Sequence, residues 1–279
     1  MNWYPGCSLE GTAREYGASM REACRLLGHE LTELPDWSCC GAGVAGGTDA
    51  VLSRALPLRN VALAAARGEE LLVPCAACYN RLRRAQVELA EGQPQAAAAG
   101  RRVERSTGRS PGAPVRILHP LQWWSEPEVL AELGRRAVRP WGRLPLAAYY
   151  GCLLLRPAAV ALDDPEQPRR MEAILTAVGA RPVAWPGRTE CCGAGLGLAA
   201  PEAVKRRVRQ LAEAARAAGA RALVTACPMC QGNLDAYQEA PGLPVLFLSE
   251  VVAGALGADL KPFLRRHLID SAEVADLAG

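Results

Sequence analysis

Ten of the eleven cysteines in this chain fall into two copies of one pattern, Cys7, Cys39, Cys40, Cys75, Cys78 and Cys152, Cys191, Cys192, Cys227, Cys230. As spacings the copies read C-x31-CC-x34-C-x2-C and C-x38-CC-x34-C-x2-C. The offset between them is 145 residues at the first cysteine and 152 at the other four, so a seven-residue insertion in one loop accounts for the only mismatch. Such a chain is expected to fold as two related units, each carrying one copy of a duplicated metal site.

Length and composition leave room for this and exclude several other classes. The chain has 279 residues, half of them hydrophobic, enough for two compact domains each with its own core. A net charge of +3 gives no reason to expect nucleic acid or an anionic membrane as partner. Arginine is abundant, but from Val204 to Arg216 it alternates with Ala, Glu and Leu, the composition of a solvated helix face. The N-terminus, Met-Asn-Trp-Tyr-Pro-Gly-Cys, has no basic and apolar leader, and no run approaches the roughly 20 apolar residues of a membrane span. A cytoplasmic protein is expected. Reducing surroundings disfavour structural disulfides, so the cysteines are expected to bind metal or to do redox work.

Each repeat alternates short apolar runs with amphipathic stretches, the pattern of parallel α/β units. In the first repeat, strands are predicted at Asn2 to Tyr4, Glu30 to Leu34, Glu70 to Val73 and Val115 to Leu118, with helices over Thr12 to Leu27 and Asp49 to Arg67. The second retraces this, with strands at Leu146 to Tyr150, Arg181 to Ala184, Ala222 to Thr225 and Val245 to Leu248, and helices over Arg169 to Val178 and Pro201 to Ala218. The cysteines fall just past strand ends or where helices open, the edge at which open α/β sheets gather ligands. The boundary is placed to give domains 1–143 and 144–279. An excess of 22 residues in the first repeat, about 92–113, is rich in Gln, Ala, Gly, Arg, Ser and Pro and reads as an extended helix end with a mobile surface loop.

A CxxC pair alone serves one zinc, one cluster or one redox disulfide equally well. Here three more sulfurs accompany it in each copy. Zinc is satisfied by four tetrahedral ligands, which leaves a fifth thiolate without a purpose, and adjacent cysteines suit one small ion poorly. Several irons can use five thiolates, so the pattern favours an iron–sulfur cluster. The small residues in Cys39-Cys40-Gly41-Ala42-Gly43 and Cys191-Cys192-Gly193-Ala194-Gly195 let backbone N–H groups approach cluster sulfides, or simply make a tight turn before a helix.

The repeated pattern resembles the CCG cysteine-rich domain. The words Tyr4-Pro5-Gly6-Cys7-Ser8-Leu9, Pro74-Cys75-Ala76-Ala77-Cys78-Tyr79-Asn80, Gly151-Cys152-Leu153-Leu154-Leu155-Arg156-Pro157 and Cys227-Pro228-Met229-Cys230 are similar to those of the B subunit of heterodisulfide reductase. The resemblance covers nearly the whole chain. It implies two pseudo-twofold-related CCG domains of α/β class, each a small mostly parallel sheet flanked by helices. It further implies two noncubane [4Fe-4S] clusters, each held by the five cysteines of one copy, with a disulfide substrate between them. Reducing a disulfide takes two electrons, so two one-electron clusters flanking the S–S bond make chemical sense. Implied partners are a ferredoxin-like C subunit together with a flavin-bearing A subunit, since this chain carries no flavin or dinucleotide fingerprint. The alternative is a non-catalytic electron-relay subunit of a complex oxidising 2-hydroxy acids or glycerol phosphate, although the C-x2-C-x2-C-x3-C-P motif frequent in such relatives is missing here.

Outside the ten cysteines, Cys24 lies on a helical stretch and reads as a buried, inert thiol. His119, just after a strand, is the candidate proton donor to a leaving thiolate, its competing role being a hydrogen-bonded core histidine. Arg81 and Arg156 each follow a ligand cysteine closely and are candidates to hold an anionic substrate group, against the plainer reading of structural arginines. Asn80 and Asn233 could cap turns or donate to cluster sulfides, and Trp123 and Trp124 read as core or as partner surface.

Overall fold

The computed structural model describes residues 1–43, 45–68 and 70–276, so the last three residues of the expected second domain lie outside the described part. The first half runs β1 (Asn2–Trp3), α1 (Gly6–Glu10), α2 (Arg14–Leu26), β2 (Thr32–Glu33), α3 (Ala45–Thr48), α4 (Leu52–Ala65), β3 (Leu71–Leu72), α5 (Ala76–Ala90), α6 (Pro94–Thr107), β4 (Ile117–Leu118), α7 (Pro120–Trp124) and α8 (Pro127–Arg136). The second runs β5 (Pro145–Tyr149), α9 (Arg170–Ala177), β6 (Arg181–Pro182), α10 (Pro201–Ala217), β7 (Ala222–Thr225), α11 (Pro228–Ala236), β8 (Val245–Phe247), α12 (Leu248–Ala255), α13 (Lys261–Leu264) and α14 (Ala272–Asp276).

Each half holds a four-stranded, all-parallel sheet, in order β2-β1-β3-β4 and β6-β5-β7-β8. The apolar runs of the sequence become strands buried on both faces, as parallel sheets require: Leu71, Leu72, Ile117 and Leu118 in one half, Ala222 to Thr225 and Val245 to Phe247 in the other. Edge strand β2, by contrast, is exposed. Helix α2 lays Tyr16, Met20, Ala23 and Cys24 on the core at helical spacing, and α10 does the same with Val204, Val208, Leu211 and Ala215. Among the described residues no helix is long and apolar enough to cross a membrane.

The segment expected over 92–113 as an extended helix end with a mobile surface loop holds instead a separate helix, α6, over most of its length. Pro94 opens α6 in its first turn, and Gly108, with φ of 66°, closes it in the left-handed conformation. Ala96, Ala99, Gly100 and Val103 make a buried stripe, and Ala99 and Val103 join Ala55, Leu58 and Ala62 of α4 and Ala85 of α5 in a small second core. Small side chains at i, i+3, i+4 and i+7 let the helices approach closely, which is why a composition rich in Ala and Gly could pass for a loop.

The two halves share one continuous hydrophobic core and exchange helices. Helices α12 and α13, which follow the last strand of the second half, pack on α2 of the first, and α7 and α8, which follow the last strand of the first, pack on α9 of the second. At the first of these contacts Tyr16 stacks on Phe247 with centroids 4.2 Å apart, and the buried hydroxyls of Ser19 and Ser249 bond at 2.6 Å. Trp124 is fully buried and Trp123 nearly so, which places both in the core.

A buried ion pair sits beside this contact. Glu250 caps α12 by accepting the Phe247 N–H at 2.8 Å, and its other oxygen meets His267 Nε2 at 3.0 Å with both side chains wholly buried. Burial opposes charge on His267, but the hydrogen bond and charge of Glu250, backed by Asp235 and Glu15, outweigh it and hold the imidazole pKa above its ordinary value. A histidine raised in the folded state stabilises fully below its unfolded pKa, about 6.5, and that contribution is lost as pH rises through the folded value. The unfolding free energy from urea titration is therefore expected to decline above about pH 6.5. The same decline should be missing from the stability curve of His267→Gln, and so should appear in the wild-type-minus-variant difference.

Candidate metal centres

Both cysteine sets lie at the carboxyl edge of their sheets, where the order 2-1-3-4 makes the chain leave β1 and β3 in opposite directions and opens a crevice. Cys7 enters α1 just after β1, Cys39 and Cys40 follow β2, and Cys75 and Cys78 open α5 just after β3. Cys152, Cys191, Cys192, Cys227 and Cys230 take the same places around β5, β6 and β7. All are free thiols.

The sulfurs stand in matching pairs. Cys7 and Cys39 are 3.8 Å apart, Cys152 and Cys191 3.9 Å, Cys40 and Cys78 3.3 Å, and Cys192 and Cys230 3.6 Å. Burial pushes the Cys7 thiol up to about 11, and the charges of Cys39, Cys40 and Cys75 add to the shift. Burial likewise pushes Cys152 up to about 12, with Cys191, Cys192 and Cys227 adding. Hydrogen bonding from Cys78 brings Cys40 down to about 7 against burial, helped by the Ala42 N–H and the Arg81 charge, and Cys192 falls to about 7 beside Cys230 for the same reason. Their partners Cys78 and Cys230 are raised, by those hydrogen bonds first and then by Cys75 and Cys227. All five sulfurs of a set thus act on one another.

The raised thiols of each set, Cys7 and Cys78, Cys152 and Cys230, ionise more readily beside a multiply charged metal group. Five thiolates per set, with paired sulfurs 3.3 to 3.9 Å apart, exceed the four ligands of a single tetrahedral metal and fit a polynuclear centre, although among the described residues no three or more Cys, His, Asp or Glu side chains close on one ion. The Gly41 N–H reaches Cys39 Sγ at 3.4 Å and the Gly193 N–H reaches Cys191 Sγ at 3.3 Å. Both glycines have positive φ, 74° and 83°, so the turn after each CC pair aims its amides at sulfur.

A second repeated word, Tyr-x-Gly-Cys, builds the floor of each set, a role the sequence reading missed. Tyr4 donates to the carbonyl of Ser38 at 2.8 Å and Tyr149 to that of Glu190 at 2.8 Å, each carbonyl belonging to the residue before the CC pair. Burial and the neighbouring cysteines push both phenol pKa values up, so each hydroxyl stays a donor. Gly6 and Gly151 have φ of 69° and 65°, and a Cβ there would stand 2.8 Å from Cys78 Sγ and 3.1 Å from Cys230 Sγ. The repetition of Tyr-x-Gly-Cys in both copies was the signal available in the sequence.

The two sets are tied to each other by core residues. Tyr16 Oη lies 2.9 Å from the Pro74 carbonyl and 3.3 Å from that of Ala226, the residues immediately before Cys75 and Cys227. His119, the candidate proton donor, belongs to this tie. It is fully buried, with Nε2 2.8 Å from the Pro74 carbonyl and Nδ1 accepting the Leu121 N–H at 3.2 Å as the cap of α7. Burial lowers its pKa to about 4. The backbone contacts fix a neutral ring whose Nε2 proton is donated to the Pro74 carbonyl. Asn80 donates to the carbonyls of Leu153 and Arg156, both at 2.7 Å, joining α5 to the loop after Cys152, while Asn233 donates to that of Cys192 at 2.6 Å. Arg156 is held by Glu166 and the Thr189 carbonyl, both at 3.2 Å, whereas half-buried Arg81 has no such tether among the described residues. Cys24 is buried and its pKa is pushed up to about 12 by burial, an inert thiol.

The family model of the CCG cysteine-rich domain matches this chain twice, over residues 1–83 and 146–235, and the chain belongs to that family. The 8-methylmenaquinol:fumarate reductase membrane anchor subunit of Wolinella succinogenes is 30% identical over 282 residues, 98% of each chain. The B subunit of the ferredoxin/F420H2-dependent CoB-CoM heterodisulfide reductase of Methanosarcina acetivorans is 30% identical over 92% of this chain and 89% of its own. The crystal structure of a hypothetical protein from Helicobacter pylori shares the fold with a TM-score of 0.75 and 13% identity over 96% of this chain, which spans 51% of that protein's length.

The glycine floor yields a direct test. Gly6→Ala and Gly68→Ala both place an alanine at φ near 68°, costing about 1–2 kcal/mol, but only the first drives a methyl group into a cysteine sulfur. Metal analysis is expected to show that Gly6→Ala empties the first set alone, while Gly68→Ala keeps both sets loaded.

Proposed function

We propose that this member of the CCG family is the catalytic subunit of a heterodisulfide reductase-type complex, reducing a disulfide to two thiols at two noncubane [4Fe-4S] clusters. Cys7, Cys39, Cys40, Cys75 and Cys78 would hold one cluster, and Cys152, Cys191, Cys192, Cys227 and Cys230 the other. The observation that carries the reading is the presence of two complete five-sulfur sets in matching places, tied through Tyr16 at the residues that lead into Cys75 and Cys227. When bound, each cluster supplies one electron at a time, so the pair meets the two-electron demand of an S–S bond.

The chain's own residues set the conditions for this. Cys40, Cys75 and Cys78, with Cys192, Cys227 and Cys230, are buried and keep water from the inner side of each set. Cys7, Cys39 and Cys191 are exposed and Cys152 partly so, which leaves the outer side of both sets open to a substrate. Two electrons and two protons added to one disulfide give two thiols. With His119 neutral and enclosed, those protons would come from solvent at the open side. Electrons would arrive from partner proteins of the complex, for which a ferredoxin-like C subunit together with a flavin-bearing A subunit is the proposed source, in the cytoplasm. A second reading, electron relay within a fumarate reductase-like or dehydrogenase complex, is favoured by the end-to-end match to the Wolinella protein.

Anaerobic reconstitution is expected to give about eight irons and eight sulfides per chain, from two four-iron clusters. Two zinc ions without sulfide would contradict the cluster reading. Chemically reduced protein should release two thiols per disulfide consumed, and Cys39→Ala and Cys192→Ala should each abolish this while leaving the opposite set loaded. Full iron content with no thiol release from any disulfide, small or protein-borne, would instead establish the relay.

A further inference from the structure

A cavity of about 430 Å³ lies between α4 and α5, directly beside the turn that follows Cys39 and Cys40. Its lining includes Gly43 from that turn, Gly47 from α3, and Arg54, Arg81, Arg84 and Glu88 from α4 and α5. Glu88, with 7% of its side chain exposed, accepts Arg54 Nε and Arg84 Nε at 2.7 Å each, one on either oxygen. Glu88 thus braces both guanidinium groups, and Arg54 Nη1 is further engaged by the Ala50 carbonyl at 3.0 Å. Three cations against one anion leave the cavity with a net formal charge of +2.

Arg81 is the one of the three arginines that Glu88 does not brace, while its charge acts on the Cys40 thiol. It is half-buried, projects from the first turns of α5 three residues after Cys78, and makes no hydrogen bond or ion pair among the described residues. A partly desolvated guanidinium with five unused donors is costly unless an anion completes it. The second half lacks such a site. At the 152-residue offset Arg81 becomes Asn233, which is occupied by the Cys192 carbonyl, and Glu88 becomes Ala240. The corresponding cavity between α10 and α11, about 320 Å³, is lined by Lys205, Arg209 and Arg216 facing Glu213 and Glu239, a net formal charge of +1 against +2 in the first. Arg156, the other arginine that follows a ligand cysteine, is already paired with Glu166.

We infer that this cavity is an oxyanion subsite completed by Arg81, and that it receives a carboxylate, phosphate or sulfonate carried by the thiol that departs at the first cysteine set. The substrate half at the first set then meets the more strongly cationic receptor, since the second half has Asn233 in place of Arg81 and a less positive cavity. The subsite stands on its own geometry, whereas its assignment to a substrate rests on the disulfide-reducing function proposed above. Guanidinium and oxyanion meet here by paired N–H···O bonds, which an amide side chain cannot replace.

The test uses the full chain with both cysteine sets loaded, and inorganic phosphate as the first probe. Calorimetry is expected to show saturable phosphate binding that weakens about tenfold or more in Arg81→Gln, is partly kept in Arg81→Lys, and is unchanged in Arg83→Gln, which removes the same charge from the same helix outside the cavity. Absence of saturable binding, or equal losses in Arg81→Gln and Arg83→Gln, would overturn the subsite. In turnover, phosphate should compete with 3,3′-dithiodipropionate but not with its neutral diamide, and Arg81→Gln should raise KM for the dianion alone. Phosphate that binds through Arg81 without competing would overturn the assignment to substrate. Arg81-dependent phosphate binding in a protein that reduces neither disulfide would count against the disulfide-reducing function and leave the subsite standing.

Discussion

Crowding of five thiols at one sheet edge is the constraint on which the rest of this molecule depends. Paired at 3.3 to 3.9 Å, the thiols shift one another: Cys40 and Cys192 fall to about 7 beside their partners, while the Cys7, Cys78, Cys152 and Cys230 pKa values are raised. Ionisation of a whole set becomes favourable when a multiply charged metal group offsets those raised values. The surrounding features serve this requirement. Glycine turns direct amides at sulfur, tyrosine hydroxyls hold the carbonyl before each CC pair, and Gly6 and Gly151 leave no side chain where Cys78 and Cys230 must stand.

Holding two such sets in register is the task of the exchanged helices. Because α12 and α13 complete the first half while α7 and α8 complete the second, neither sheet can be covered without the other. Tyr16 sits at the seam, stacked on Phe247 and hydrogen-bonded to carbonyls of both halves. His119 shares one of those carbonyls and caps the helix crossing to the other half. The seven-residue insertion after Cys152 is used at the same seam, since Asn80 of the first half grips its entry and α5 packs on its 3₁₀ turn, Ala158–Val160. Rigid placement of one set against the other is what a substrate spanning both would need.

Much of this was legible in the sequence because cysteine spacing and apolar runs are local signals that duplication prints twice. The ten sulfurs gather as five and five, and all eight strands fall within or beside the runs read as strands. What could not be read depended on tertiary partners. Helix α6 hid behind a composition of Ala, Gly, Gln and Arg, since its stripe of small residues has meaning only against α4 and α5. His119 follows a strand in the manner of a site residue, yet its ring turns inward to a carbonyl contributed by another strand end. Arg81 and Arg156 look equivalent along the chain, and only the fold shows that Glu166 and Thr189 tether one while the other faces a cavity.

The central claim is that the two sets act as one site, so the most direct measurement is the magnetic interaction between them in the reduced, reconstituted protein. Tyr16 feels the charge of both Cys75 and Cys227, which places the sets at a common seam. Electron paramagnetic resonance of the wild type should therefore show spin–spin splitting that vanishes when Cys39→Ala or Cys192→Ala empties one set. A wild-type spectrum equal to the sum of the two single-set spectra would contradict the account, because centres that do not sense each other cannot share one substrate bond.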